Sequence, residues 1–190
     1  GNDLFYGSDG DDQFNGGLGT DRVEQVTGFD QRLNNSAIEL GTWTPPSQTV
    51  PAWSFTADSS DGFSSVEQFV LQGDASDNVI DAGGYDQGDV TIGGGDGNDR
   101  LTAGKLDDSI VGGLGNDWIN AKSGDDYLEG GEGDDTLLSG YGDDTNIAGD
   151  GDDYINAHSG NDQIDAGYGN DSLRGSDGDD TMDGGWGTDY

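Results

Sequence analysis

Apolar residues recur at every ninth position through the C-terminal half of the chain, with glycines and polar residues between them. The segment Trp118-Ile119-Asn120 is typical, and predicts a short strand whose middle side chain points inward while its neighbours point outward. Glycine-rich segments between the strands predict turns, because glycine adopts backbone angles that other residues avoid. The inward positions hold Leu101, Ile110, Ile119, Leu128, Leu137, Ile155, Ile164, Leu173 and Met182.

These nine-residue units predict an all-β solenoid rather than a globular sheet. Two units complete one turn of a flattened coil, so that residues 18 positions apart stack on each other in neighbouring coils about 4.8 Å apart. The core is then a thin ladder with one Leu or Ile per strand. As in other solenoids, the terminal coils need caps.

An aspartate stands two residues before each apolar position, without exception through this block. Stacked carboxylates about 5 Å apart repel by roughly 3 kcal/mol at an effective dielectric constant near 20. Several such pairs exceed the stability of a small domain, about 5–15 kcal/mol, so the coil requires cations. The series is Asp99, Asp108, Asp117, Asp126, Asp135, Asp144, Asp153, Asp162, Asp171, Asp180 and Asp189, and Asp3, Asp12 and Asp21 hold the same position near the N-terminus.

The available ligands are carboxylate and carbonyl oxygens, since the chain has no cysteine and a single histidine. This donor set excludes a zinc or copper array and favours Ca²⁺, which accepts six to eight oxygens in irregular geometry. Mg²⁺ suits the site less well, because it demands a tight octahedron and retains water.

The formal net charge is -34, with 40 acidic and 6 basic residues, and only 29% of residues are hydrophobic. Such a composition favours disorder unless the charge is neutralised, and it opposes binding to nucleic acid or anionic lipid. No apolar segment has transmembrane length, and no signal peptide is visible. Because the sequence starts and stops within repeats, we expect a fragment of a longer protein, with any catalytic domain outside it.

Three segments are predicted: N-terminal repeats at 1–23, a degenerate segment at 24–75, and the main repeat block at 76–190. The middle segment holds Trp43 and Trp53 and is predicted to continue the coil with metal-free strands and a protruding loop; a separate small lobe is the alternative. In the main block, Asn78 and Val90 replace the aspartate, and residues 85–87 form a three-residue insertion.

Two departures from the repeat are informative. Leu106 replaces a turn glycine, and Asn146 occupies an inward position, where either the strand slips to bury Ile147 or the amide finds a partner in the core. The acidic residues directly before the aspartates, such as Asp125, are expected to stay in solvent or to bond to the turn backbone; supplying extra metal ligands is the alternative. Periodic carboxylates with a lone turn histidine, His158, argue against a catalytic site.

The segments Gly112–Asn120 and Gly130–Leu138 match GGxGxDxUx, where U is a large apolar residue. The chain therefore resembles the RTX (repeats-in-toxin) calcium-binding nonapeptide family. The resemblance implies a right-handed parallel β-roll with two strands and two Ca²⁺-binding turns per coil. It also implies that each ion is held by a motif aspartate, the next aspartate on the same edge and turn carbonyls. The implied pairs include Asp99 with Asp117, Asp108 with Asp126, and Asp3 with Asp21, giving roughly ten ions at most.

The family is exported unfolded from Gram-negative bacteria and folds on meeting external calcium. We therefore expect a secreted, non-enzymatic module whose partners are Ca²⁺ and the rest of its parent polypeptide. The alternative is a Ca²⁺-dependent module that binds polysaccharide or a cell surface, for which outward Trp118 and Tyr154 are candidates if they do not merely cover the sheet. A fragment of an RTX protease, lipase or epimerase is the third hypothesis.

Overall fold

The computed structural model describes the backbone of the strands at 4–6, 22–26, 31–34, 37–40 and 68–69, and both backbone and side chains at 70–86 and 88–190. Within these residues every regular element is a β-strand, and there is no helix. The all-β prediction is therefore confirmed, whereas the predicted loop around Trp43 and Trp53 lies outside the described residues.

The strands form two sheets. In order across the first, nine-stranded sheet they are β1 (Leu4–Tyr6), β2 (Arg22–Val26), β5 (Gln68–Gln72), β7 (Asp89–Asp96), β9 (Ser109–Leu114), β11 (Tyr127–Glu132), β13 (Thr145–Asp150), β15 (Gln163–Tyr168) and β17 (Thr181–Asp183). In order across the second, eight-stranded sheet they are β16 (Ser172–Arg174), β14 (Tyr154–Ser159), β12 (Thr136–Tyr141), β10 (Trp118–Ser123), β8 (Arg100–Thr102), β6 (Val79–Gly84), β3 (Gln31–Asn34) and β4 (Ala37–Leu40).

Consecutive strands of the main block alternate between the two sheets, and strands within a sheet pair in parallel. The register places Trp118 beside Thr136 and Thr136 beside Tyr154, which is a step of 18 residues. One coil therefore contains two strands and two turns, as predicted, and the chain is a parallel β-solenoid. The pairing of β3 with β4 is antiparallel and departs from this pattern.

The core between the sheets contains the predicted ladder, with Leu101, Ile119 and Leu137 fully buried on one side. The prediction of one inward residue per strand is wrong, because most strands of the main block span six residues and bury two of them, the second being glycine in β9 and β11. The second inward residue is small, as with Ala121 in β10. It must be small because the carboxyl group of the neighbouring turn aspartate lies against this position.

The insertion at 85–87 is visible in the strand register. Val79 pairs with Arg100, 21 residues later, whereas Thr91 pairs with Ser109 at the usual 18. Tyr85 is fully buried in the core, so part of the insertion contributes packing. Strands β2, β3 and β5 extend both sheets into the degenerate segment, while the three-segment division remains a prediction.

The last strand does not bury its apolar residue. Met182 in β17 is 53% exposed, and Leu173 in β16 is only partly buried. Met182 was predicted to be an inward core residue, and this is wrong because no described strand packs beyond β17 in its sheet. An apolar residue of a solenoid is buried only when coils on both sides cover it.

Asn146 resolves the ambiguity left by the sequence. Its side chain is buried in the apolar ladder, and Ile147 stays at the outward position, so the strand does not slip. The Ser139 hydroxyl donates a 2.7 Å hydrogen bond to Asn146 Oδ1. The amide nitrogen, however, has no hydrogen-bond partner among the described residues, and such a buried donor is destabilising.

Replacing both partners, Ser139→Ala with Asn146→Leu, should raise the free energy of unfolding by about 1–3 kcal/mol, because it removes a buried unpaired donor and adds apolar burial. Leucine suits the slot, since Leu128 and Ile164 are its neighbours in register. Urea denaturation in saturating Ca²⁺ measures the change. Asn146→Leu alone should gain less, because it leaves the Ser139 hydroxyl unpaired, and a double variant less stable than the wild type contradicts this interpretation.

Candidate metal centre

The motif aspartates lie at the two edges of the solenoid, where each strand begins. In the main block, the nine from Asp99 to Asp171 are buried, with exposed fractions of 0–3%, although each is a charged residue type. Asp180 and Asp189, in the last coil, are half-buried. The predicted ligands Asp3, Asp12 and Asp21 lie outside the described residues.

Backbone hydrogen bonds hold these side chains in two columns. The N–H of Asp99 donates to Oδ1 of Asp117 at 2.7 Å, and the N–H of Asp117 donates to Oδ1 of Asp135 at the same distance. The other edge repeats this between Asp108 and Asp126. One oxygen of each carboxylate is therefore fixed by the preceding coil, and residues 18 apart stack as the sequence predicted.

The second oxygen of most of these carboxylates has no donor. Within the described residues, the buried Oδ2 atom lacks a hydrogen-bond partner in eight aspartates: Asp99, Asp117, Asp126, Asp135, Asp144, Asp153, Asp162 and Asp171. Burying an anionic oxygen without a partner costs several kcal/mol, so it occurs where the group is neutralised or binds a cation.

A backbone carbonyl lies beside this oxygen. A methyl group at Gly112 would collide with Oδ2 of Asp117 and would lie 2.6 Å from the carbonyl oxygen of Gly130 in the next coil. The equivalent position at Gly94 faces Asp99 Oδ2 and lies 2.5 Å from the carbonyl oxygen of Gly112. Two hard oxygens thus converge next to a glycine, which is the donor set of a Ca²⁺ ligand pair.

Asp108 is an exception that the sequence pattern did not reveal. Its Oδ1 accepts the N–H of Val90 at 2.7 Å and its Oδ2 accepts the N–H of Gly104 at 2.8 Å. Both oxygens therefore have donors. The one available signal was Leu106, which replaces the turn glycine just before this aspartate.

The first described coils continue the hydrogen-bond columns without a carboxylate. The N–H of Asn78 donates to Oδ1 of Asp99 at 2.7 Å, as Val90 does to Asp108. The side-chain Oδ1 of Asn78 accepts the N–H of Asp74 at 2.7 Å. Asn78 thus substitutes structurally for aspartate but contributes no charge.

The exposed acidic residues before the motif aspartates form a second column. The N–H of Asp125 donates to Oδ1 of Asp107 at 2.9 Å, and the N–H of Asp143 donates to Oδ1 of Asp125 at 2.9 Å. Asn116 serves in the same way as the acceptor for the N–H of Asp134. These side chains bond to the turn backbone, as the sequence predicted.

No group of three or more His, Cys, Asp or Glu side chains converges among the described residues in a way that would hold a metal ion. A site at these turns must therefore combine carboxylates with backbone carbonyls. The family model for the RTX calcium-binding nonapeptide repeat matches residues 1–23, 86–110, 103–137, 111–145, 138–171 and 157–190, which is more than half of the chain.

The chain belongs to the RTX calcium-binding nonapeptide-repeat family.

Its solenoid is accordingly a Ca²⁺-binding RTX β-roll, a structural rather than catalytic module. A search of curated proteins finds no match to the chain. Across the described residues, no helix is long and apolar enough to cross a membrane.

Burial perturbs the acidity of the β-roll carboxyls. Desolvation raises the pKa of Asp126 to about 8, and that of Asp135 and Asp144 to about 7, although the N–H bonds to each group act in the opposite direction. Repulsion between stacked aspartates adds to the increase. The same burial raises the pKa of Asp117 to about 6. A cation at these turns must therefore displace protons near neutral pH.

Acid should favour the metal-free β-roll. The ordinary pKa of these groups is 3.8, and the folded values reach about 6 to 8, so the folded state binds more protons between these limits. The stability that these carboxyl groups contribute is therefore fully present below pH 3.8 and is lost as the pH rises through their folded pKa values. Lowering the pH of the chelated chain from about 8 to about 5 should increase its β circular dichroism, while Ca²⁺ affinity falls over the same range.

Titration with Ca²⁺ at neutral pH in two buffers of different ionisation enthalpy provides the second measurement. Proton release makes the observed heat depend on the buffer. A buffer-independent heat, together with no gain of structure in acid, would mean that these carboxyls are ionised in the metal-free chain.

Proposed function

We propose that this RTX β-roll folds on binding Ca²⁺ outside the cell and thereby supports the export and stability of a larger secreted protein. The observation that carries the proposal is the column of buried carboxylate oxygens without donors. In most folded proteins, buried carboxylate oxygens accept hydrogen bonds or lie at the surface. Here the folded state leaves anionic oxygens buried without a partner among the described residues, and a bound cation would offset the free-energy cost of burying them.

The coupling of folding to metal follows from where the ligands lie. Asp117 and the carbonyl of Gly130 belong to different coils and meet only when the coils stack. The unfolded chain has no such site, so the free energy of binding is also free energy of folding. Each coil that forms completes a site for the next one, which supports cooperative folding along the solenoid.

We assign the ligands as the motif aspartates with the turn carbonyls beside them. The eight aspartates with donor-less oxygens form the main set, shared along each edge by neighbours such as Asp117 and Asp135. Asp180 and Asp189 close the same columns through their Oδ1 atoms. Asp3, Asp12 and Asp21 share the motif and are proposed to act in the same way.

The proposal also places the folded module outside the cell. Proteins with RTX repeats are generally secreted by Gram-negative bacteria, where calcium is scarce inside the cell and abundant outside. The high net negative charge keeps the metal-free chain extended by self-repulsion, which suits export in an unfolded state. Calcium outside the cell then makes the folding step directional.

Half-maximal folding is expected at about 10⁻⁴–10⁻³ M Ca²⁺, the range of extracellular calcium modules. A titration followed by far-ultraviolet circular dichroism should be steep, with a Hill coefficient above one, because adjacent sites share aspartates. Mg²⁺ at the same concentrations should give little structure. Folding at cytosolic Ca²⁺ levels, or equal folding with Mg²⁺, would contradict the proposal.

A matched pair of variants tests the ligand assignment. Asp126→Asn removes an anionic oxygen that has no donor, whereas Asp108→Asn alters an oxygen that accepts the Gly104 N–H. Native mass spectrometry at saturating Ca²⁺ counts the ions bound by each folded variant. Asp126→Asn should bind at least one ion fewer than the wild type, and Asp108→Asn should keep the wild-type number.

The assignment is wrong if Asp126→Asn keeps every ion while folded. Circular dichroism recorded on the same samples separates loss of ions from loss of fold. Because Asp108→Asn weakens a hydrogen bond, it should lower the melting temperature without changing the ion count.

A further inference from the structure

From β7 onward, the charged residues on the strands of the two sheets differ in sign. The strands β8, β10, β12, β14 and β16 of the eight-stranded sheet contain no Asp or Glu, yet they contain Arg100, Lys122, His158 and Arg174. The strands from β7 to β17 of the nine-stranded sheet contain no Lys, Arg or His, and their acidic residues are Asp89, Asp96, Glu129, Glu132, Asp150, Asp165 and Asp183. We call the outward side of β8, β10, β12, β14 and β16 the basic face.

The basic face also presents aromatic rings. Arg100 places its guanidinium 3.8 Å from the centre of the Trp118 ring. Tyr154 is two strands away in register, 40% exposed, with Thr136 between it and Trp118. Tyr141, at the end of β12, is 70% exposed. The five strands span about 19 Å at the usual sheet spacing, so rings and cations lie along the solenoid axis.

A hollow lies in the middle of this face. Gly140, which has no side chain, stands in register between Lys122 and His158, and the open hollow around it has a volume of about 370 Å³. Its walls combine an imidazole, a phenol ring and an amide from His158, Tyr141 and Asn120. Lys122 also borders the hollow, but its ammonium group reaches across β8 to the carbonyl of Gly83 in β6. Polar groups converging on a partly apolar concavity of this size are typical of a small-ligand site.

Two residues that line the hollow have an unfavourable backbone conformation. Lys122 and His158 have φ of 78° and 73°, in the left-handed region that disfavours residues with a Cβ. The equivalent position in the nine-stranded sheet is always glycine, at Gly95, Gly113, Gly131, Gly149, Gly167 and Gly185, each with positive φ. Two of the three described non-glycine residues with positive φ thus line the same hollow. Strained residues concentrate at functional sites.

The side chains of Lys122 and His158 are also held in place by polar contacts. Lys122 Nζ donates to the carbonyl of Gly83 at 2.9 Å, which uses one of its three hydrogens. A ring nitrogen of His158 lies 3.1 Å from the Asn156 amide nitrogen. The Ser176 hydroxyl donates to Asn156 Oδ1 at 3.3 Å, so the row of polar groups continues into the next coil.

We propose that the basic face binds an extended oligosaccharide bearing carboxylate groups, with one sugar unit in the hollow at Gly140. Aromatic rings suit the apolar faces of sugars, amides and hydroxyls suit their hydroxyl groups, and Lys122, His158 and Arg174 suit the carboxylates. The inference rests on the proposed Ca²⁺-dependent folding, because the face exists only in the stacked coil.

Other anionic partners fit less well. Nucleic acid and anionic membranes present dense phosphate over a wide area, which the net charge of -34 repels. A second copy of the chain could place its acidic sheet against the basic face, but its own net charge of -34 would repel the first copy. A narrow glycan chain contacts only the strip of strands that is free of acidic residues.

The experiment uses the whole chain in saturating Ca²⁺ and three carboxylated hexasaccharides: oligogalacturonate, oligomannuronate and hyaluronan hexamer. Isothermal titration calorimetry should detect binding of at least one of them. The corresponding methyl ester, which has the same chain without charge, should bind at least tenfold more weakly. Binding should also weaken as salt is added, because the contact is electrostatic.

The decisive variant is Lys122→Gly combined with His158→Gly, which restores the repeat glycine at both strained positions. It should lose at least tenfold in affinity, while Ca²⁺-induced circular dichroism is retained and the melting temperature is unchanged or higher. The matched control is Asp165→Asn on the nine-stranded sheet, which should bind like the wild type.

Three results overturn the proposal: no binding to any of the three hexasaccharides, equal binding of the methyl ester, or wild-type affinity in the double glycine variant. Sedimentation velocity without glycan tests the competing occupant, and a dimer abolished by the double glycine variant would assign the face to self-association instead. Circular dichroism with Ca²⁺ alone reports on the proposed folding function independently, so failure of either proposal can be recognised.

Discussion

The β-roll depends on burying one aspartate carboxylate in each turn. A backbone N–H from the preceding coil satisfies one oxygen, as between Asp99 and Asp117, and most of the second oxygens have no donor among the described residues. Desolvation of a carboxylate in this state is among the largest single costs in a protein interior. The fold is therefore conditional on whatever neutralises that oxygen, and we propose that this is the Ca²⁺ that RTX repeats bind.

The same constraint explains the composition of the repeat. The carboxylate and a carbonyl of the next coil converge beside Gly112, where a side chain would collide with both. The second inward residue of each strand is kept small, which restricts the core mainly to one Leu or Ile per strand with a small residue such as Ala121. So narrow a core contributes little hydrophobic stabilisation per coil. We therefore expect the proposed ion sites and the apolar ladder to form together.

Much of the fold could be predicted from the sequence, because a nine-residue period fixes the 18-residue register, the two sheets and the column of aspartates. The exceptions depended on three-dimensional contacts. Asn146 is buried with a hydrogen bond from Ser139, seven residues earlier in the chain, and Tyr85 of the insertion packs into the hydrophobic core. Asp108 differs from its neighbours because a single N–H, that of Gly104, reaches its second oxygen. The segregation of charge emerges only when alternate repeats are assigned to opposite sheets.

Hydrogen–deuterium exchange of the segment from Asp99 to Asp171, with and without chelator at low ionic strength, tests the central claim most directly. The N–H groups of these aspartates donate to the carboxylates that the ions are proposed to neutralise, so they report on the columns themselves. We expect strong protection in Ca²⁺ and exchange near the rate of an unfolded chain in chelator at neutral pH. Persistent protection in chelator would show that the stacked carboxylates do not need a cation, and would contradict the account.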